Sequence, residues 1–87
     1  MSMKRKHIKT LALLFHRPVS ANVKHDEVIA LLIELGAQIE ISREGSRVGV
    51  VMFGEVRVLH KPHPSPSMDK GAVASVRDWL EQHGVTP

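Results

Sequence analysis

Apolar residues near the start of the chain recur at Ile8, Leu11, Leu14 and Phe15, the spacing of one helix face, and they predict a helix from Met3 to Phe15. Pro18 lacks the amide hydrogen that a helix interior requires, so it stops the pattern soon after His16. Residues Arg17 to Lys24 then read as a connector. Val28, Leu31, Leu32 and Leu35 stand at i, i+3, i+4 and i+7, and predict a second helix. Its first turn holds Asp26 and Glu27, where the positive end of the helix dipole favours carboxylates, and Gly36 is placed to end it.

Beyond Gly36 the period falls to two. Gln38, Ile39, Glu40 and Ile41 alternate as a half-buried strand does, and Gly45 with Ser46 makes a turn. A β-branched run from Val48 to Val51, extended by Met52 and Phe53, reaches Gly54, after which Glu55, Val56, Arg57 and Val58 alternate again. Two strands joined at Gly54 give an antiparallel hairpin over Arg47 to His60. Alternation puts Arg47, Gly49, Val51 and Phe53 on one face and Val48, Val50 and Met52 on the other, and it separates Val56, Val58 and His60 from Glu55, Arg57 and Leu59. Pro62, Pro64 and Pro66 bar the segment Lys61 to Met68 from being a central strand, so it is expected to be a stiff loop. Asp69 suits the N-cap of a last helix, with Val73, Val76, Trp79 and Leu80 on one stripe and Gly84 at its end.

The order α, α, β, β, β, α predicts an α+β fold, a three-stranded antiparallel sheet with helices on one face and the other face free. A chain of 87 residues has room for one core, so residues 1–87 are expected to be a single domain, with a helix and connector over 1–24 and the main body over 25–87.

Composition then removes several classes of chemistry. Without cysteine there is no disulfide, no thiolate nucleophile and no cysteine metal site. The longest apolar runs, Leu11 to Phe15 and Val28 to Ile33, fall far short of the ~20 residues needed to cross a bilayer. The first run follows Lys4, Arg5, Lys6 and Lys9 as in a secretory signal, but it is too short and no small-x-small cleavage site follows. A cytoplasmic protein with no membrane association is expected.

The net charge is +3 and the pI about 9.7. Lys4, Arg5, Lys6, Lys9, Arg17 and Lys24 crowd the N-terminal part, while Arg43, Arg47, Arg57 and Lys61 fall in or beside the sheet, where basic groups can meet a phosphate backbone. Only Phe15, Phe53 and Trp79 are aromatic, too few for a platform that stacks several bases.

Six histidines supply side chains that titrate near neutrality. His7, His16, His25 and His83 read as ordinary surface residues in or at the ends of helices. His60 and His63 differ, because they close the third strand and enter the proline loop beside the free sheet face. Two imidazoles fall short of the three or four protein ligands zinc usually takes, and Pro62 excludes a helical pair, so neither a metal nor another cofactor is expected. The segment Gly45-Ser46-Arg47 lacks a glycine-rich phosphate loop, and neither a Gly-x-Ser-x-Gly elbow nor a His-Glu-x-x-His helix occurs. What remains is metal-free acid and base chemistry on a phosphodiester. A histidine takes the proton of a ribose hydroxyl, and arginine or lysine stabilises the charged phosphorane. His60, His63, Arg47, Arg57 and Lys61 are the residue types this needs, although any basic RNA-binding surface would hold the same inventory.

Taken in order, Asp26 to Gly36 (DEVIALLIELG), Glu44-Gly45-Ser46-Arg47 opening a strand, His60-Lys61-Pro62-His63-Pro64, Asp69-Lys70-Gly71-Ala72-Val73 opening a helix, and Leu80-Glu81-Gln82-His83-Gly84-Val85 at its end resemble the HicA toxin family. The likeness spans about Asp26 to Val85, and its specificity lies in the combination rather than in any one motif. It implies a fold like the double-stranded RNA-binding domain and the activity of a ribosome-independent mRNA interferase, neutralised by a HicB antitoxin that covers the active surface. In the family a catalytic histidine directly follows a Gly-Ser pair at the start of the second strand. Here that position is Arg47, which stays protonated at physiological pH and cannot act as an ordinary base.

Three readings follow. His60 or His63 has taken over the proton transfer while Arg47 clamps phosphate; or the domain binds RNA without cleaving it; or the basic face docks an acidic partner. The leading expectation is an mRNA-cleaving toxin with His60, His63 and Arg47 as the catalytic set, and Arg43, Ser46, Arg47, Arg57, Lys61 and Lys70 as RNA contacts. The runner-up is a non-catalytic module that binds RNA or a HicB-like partner. The helix before Asp26 departs from the family pattern, and either covers the core or binds a partner.

Overall fold

The computed structural model describes residues 3–87, so Met1 and Ser2 of the expected 1–87 domain lie outside the described residues. Three helices, α1 (Arg5–Leu14), α2 (His25–Glu34) and α3 (Lys70–Gln82), accompany three strands, β1 (Gln38–Ile41), β2 (Arg47–Met52) and β3 (Glu55–His60), in the order α1-α2-β1-β2-β3-α3. This is the α+β layout that the pattern predicts.

Helix α1 is shorter than expected and turned about its axis. It buries His7, Thr10, Leu11 and Leu14, whereas Ile8 is 51% exposed. The reason is one of phase: His7, Leu11 and Leu14 stand at i, i+4 and i+7, a better single stripe than one that includes Ile8. Thr10 can join that stripe because its hydroxyl donates to the Lys6 carbonyl at 3.0 Å. Helix α2 buries Val28, Leu31 and Leu32 as predicted, and the stripe extends back one turn to His25. Helix α3 opens on the expected cap, the Asp69 carboxylate accepting from the Ala72 amide at 2.7 Å, and it buries Val73, Val76, Trp79 and Leu80 together with Arg77.

The sheet is antiparallel in the order β1-β2-β3. Val48, Val50 and Met52 of the central strand face the helices and are buried, and Leu31, Leu32, Val76, Trp79 and Leu80 pack with Val50 and Met52 in one core. Helix α1 adds Leu11 and Leu14 to this core by packing on α2 and α3. The other sheet face is uncovered.

The proline loop is not a sheet strand, as expected, but it is pinned. The Met68 amide donates to the Val23 carbonyl at 2.8 Å and the His25 amide to the Pro66 carbonyl at 3.0 Å, which clips the loop to the start of α2. At the hairpin turn Phe53 and Gly54 both adopt left-handed backbone, with φ of 59° and 73°. Two such residues match the right-handed strand twist, but the conformation is strained for a phenylalanine. Its ring compensates by packing edge-on to Trp79 at 5.5 Å and stacking on His83 at 4.1 Å.

Candidate functional site

Register decides what the hairpin presents to solvent. Across an antiparallel pair, directly opposed residues point to the same side with Cβ atoms about 4.5–5.5 Å apart. Arg47 opposes His60, Gly49 opposes Val58 and Val51 opposes Val56, while on the other flank Glu40 opposes Gly49. The uncovered face thus carries a guanidinium and an imidazole side by side at its open end. Next to them Gly49, with no side chain, leaves a shallow hollow of about 290 Å³ walled by Arg47, Glu40, Val56 and Val58. Val56 is 67% and Val58 54% exposed. Neither Arg47 nor His60 has a side-chain partner among the described residues, so both are free to meet a ligand.

One residue past His60 the chain turns to the other side of the sheet edge. The Lys61 amide donates to the Ser46 carbonyl at 2.9 Å, continuing the ladder by one bond, and the Lys61 side chain borders a cleft of about 350 Å³ between the proline loop and the first turn of α2. His63, Lys24, His25, Asp26 and Glu27 line the same cleft. His25 is only 3% exposed, its Nδ1 is enclosed without a partner, and burial pushes its pKa below the ordinary histidine value, with Asp26 opposing and Lys61 reinforcing the shift. It is therefore a neutral imidazole at physiological pH. The cleft has a buried imidazole in its wall and an exposed cation, Lys61, at its rim.

The expected site residues thus separate into groups. His60 and Arg47 share the uncovered face; His63 and Lys61 border the cleft on the other side of the sheet edge. Arg43 and Ser46 lie in the exposed β1–β2 loop, where the Ser46 hydroxyl donates to Glu44 at 3.0 Å, and Lys70 opens α3. Arg57 is away from all of these. In register with Val50, it lies on the helix-covered side, where its guanidinium sits 5.3 Å from the centre of the Trp79 ring and pairs with Glu55 at 3.3 Å. Among the described residues, no set of three His, Asp or Glu side chains is placed to hold a metal.

Two of the histidines that read as surface residues are buried. His7, at 4% exposure, and His25 both belong to the apolar stripes of their helices. Extending the Val28 and Leu32 stripe back by three residues reaches His25, the signal that could have marked it.

A family model described as HicA toxin of bacterial toxin-antitoxin matches residues 26–85, which includes all three strands, α3 and nearly all of α2. The chain belongs to the HicA toxin family. No curated protein and no solved structure matches it. The HicA match begins immediately after His25, so the Arg47–His60 pair, Lys61 and His63 fall inside it and α1 falls outside. No helix among the described residues is long and apolar enough to cross a membrane.

Proposed function

We propose that this HicA-family protein binds mRNA and cleaves it without a metal, and that a HicB-like antitoxin silences it by covering the uncovered sheet face. The observation that carries the reading is the direct opposition of Arg47 and His60 on that face. Arg47 stands where the family resemblance puts the catalytic histidine, and the hairpin register brings a different histidine beside it.

In the proposed reaction His60 takes the proton of a ribose 2′-hydroxyl as its oxygen bonds to the adjacent phosphorus. Arg47 donates hydrogen bonds to the non-bridging oxygens, whose charge grows in the phosphorane. The bond from phosphorus to the 5′-oxygen breaks, and solvent water at the exposed face supplies the proton that this leaving oxygen needs, while His63, across the sheet edge, contacts the flanking strand. The products are a 2′,3′-cyclic phosphate and a 5′-hydroxyl. Lys61, Arg43 and Ser46, in and beside the loops at the open end, and Lys70 at the start of α3 are exposed donors for neighbouring phosphates.

The test is cleavage of a single-stranded RNA in the presence of chelator by wild type, His60→Ala, Arg47→Ala and His63→Ala. A positioned base contributes about 10²–10⁴-fold, so His60→Ala should lose that much rate with its melting temperature unchanged. A wild type that leaves RNA intact, or a His60→Ala protein as fast as wild type, removes the catalytic reading. Exposed Val56 and Val58 beside Arg47 favour a protein partner on the same face, because isolated phosphates gain nothing from valine. Val56→Asp should then abolish antitoxin capture.

A further inference from the structure

The positive charge of this molecule does not come from the part that matches the HicA family. Six of its twelve Lys and Arg residues, and none of its nine Asp and Glu residues, precede Asp26. The segment up to His25 therefore carries a formal +6 and the remainder −3. A reading in which the protein acts on RNA needs cations, and the family-matching body alone is a net anion.

The six cations are Lys4, Arg5, Lys6, Lys9, Arg17 and Lys24, all exposed, and none joins an ion pair among the described residues. Arg5, Lys6 and Lys9 lie in the N-terminal half of α1, and Lys4 is its N-cap residue. That half is the positive end of the helix dipole, where basic side chains are unfavourable and acidic ones are preferred. Helix α1 has no acidic residue in its first turn, no basic residue in its last and no side-chain cap on its first amides. Its charges run against its own stability, and an anion at that end would relieve both the dipole and the mutual repulsion of the four cations.

Position supports the same conclusion. Lys6, His7 and Thr10 of α1 line a hollow with Asp26 and Glu27, and those two acidic residues also line the cleft that holds Lys24, Lys61 and His63. The first turn of α1 thus adjoins the cleft beside the open end of the hairpin. The exposed side of α1 is rich in lysine and has a single large apolar residue, Ile8, whereas protein interfaces are depleted in lysine and centred on aromatic or apolar anchors.

We propose that the N-terminal half of α1 is an RNA-backbone-binding surface that supplies this protein with the phosphate affinity its family body lacks, holding the strand whose scissile bond lies at the open end of the hairpin. The proposal rests on the reading that the protein acts on RNA, and it adds the element that retains the substrate.

The experiment measures affinity for a single-stranded 2′-O-methyl RNA of about twenty nucleotides, which cannot be cleaved for want of a free 2′-hydroxyl, across a series of salt concentrations. Wild type is compared with the quadruple variant Lys4→Gln, Arg5→Gln, Lys6→Gln, Lys9→Gln and with a charge-keeping variant Lys4→Arg, Lys6→Arg, Lys9→Arg. Each phosphate contact on a single strand contributes about 0.7 to the slope of log affinity against log salt. The quadruple variant should therefore lose up to about 3 in slope, with helical content unchanged, while the charge-keeping variant matches wild type. A quadruple variant with wild-type slope and affinity overturns the proposal, as does a wild type that fails to bind this RNA. If the quadruple variant keeps wild-type RNA binding but no longer binds poly-glutamate, α1 is instead a dock for an acidic protein. Cleavage of unmodified RNA by wild type, measured in parallel, separates the two failures: a protein that cleaves but has an inert α1 refutes only this inference.

Discussion

The two ends of the β2–β3 hairpin hold the same kinds of polar side chain in opposite states. At the turn, Glu55 accepts from the Trp79 indole at 2.9 Å and from Arg57 at 3.3 Å, meets His83 at 3.2 Å, and lies beside the Phe53 ring that stacks on His83. At the open end, Arg47, His60, Lys61 and His63 are exposed, and their side chains have no partner among the described residues. The turn uses arginine, histidine and carboxylate to dock a strained hairpin onto α3. The open end leaves arginine, lysine and histidine to solvent. An inventory of residue types cannot tell these two settings apart, and partnering can: Arg57 counts as a phosphate ligand in the sequence, and in the fold its guanidinium pairs with Glu55 over the Trp79 ring.

The sharpest way to break this comparison is to truncate one residue at each end. Trp79 is buried, takes the edge of Phe53, underlies Arg57 and donates to Glu55, so Trp79→Ala should lose about 3–5 kcal/mol of stability. Arg47→Ala should stay within about 0.5 kcal/mol of wild type, as surface changes without partners do. Urea unfolding measures both. If Arg47→Ala proves as damaging as a core truncation, the open end is structural and the proposed division between the two ends is lost.

A second contrast is between His25, in the wall of the cleft, and the exposed histidines. Burial holds the His25 pKa below its unfolded value, so the unfolded chain takes up the proton first as pH falls. Stability from this group is complete above the ordinary histidine range and is lost as pH drops from about 6.5 toward the lower folded pKa, below which it levels off. Unfolding midpoints at pH 7.5 and 5.5 should therefore differ more for wild type than for His25→Gln. An equal difference in the two proteins would mean that His25 is solvated in solution.

Much of this was legible in the sequence, for definable reasons. Helices α2 and α3 have apolar stripes with one consistent phase, and Asp69, Gly36 and Gly84 mark their ends, so periodicity alone finds them. The proximity of Arg47 to His60 follows from counting outward from the Phe53–Gly54 turn. Helix α1 is hard to phase from pattern because Ile8 looks more apolar than His7, although only His7 fits the stripe of Leu11 and Leu14. Strand β3 could not be oriented by pattern. One of its faces reads Glu55, Arg57, Leu59 and the other Val56, Val58, His60, and hydropathy alone would bury the valines. Pairing with Val48, Val50 and Met52 overrules it and leaves the valines exposed. The separation of His63 from His60 depends on where the proline loop is clipped to α2, a long-range contact that local spacing does not encode.

The smallest expected effect lies at the turn. The Trp79 indole donating to the Glu55 carboxylate, with help from Arg57 and His83 and against some loss of solvation, holds the Glu55 pKa below the usual carboxylate value. A depressed carboxylate stabilises the fold above its unfolded pKa and stops doing so as pH falls through the folded one, so the effect belongs to the acid limb, below about pH 4.5. Glu55→Gln keeps an oxygen that can accept from Trp79 but loses the charge, so near neutrality the variant should be slightly less stable than wild type, and the two should converge in acid. Between pH 6 and pH 3 it should lose less stability than wild type does. The gap should shrink in high salt, because this carboxylate is exposed and its partners Arg57 and His83 are screened by solvent ions, whereas the His25 effect arises from burial and should persist. A Glu55 effect that ignored salt while the His25 effect faded would reverse the assignment of exposed and buried electrostatics to the two ends of the hairpin.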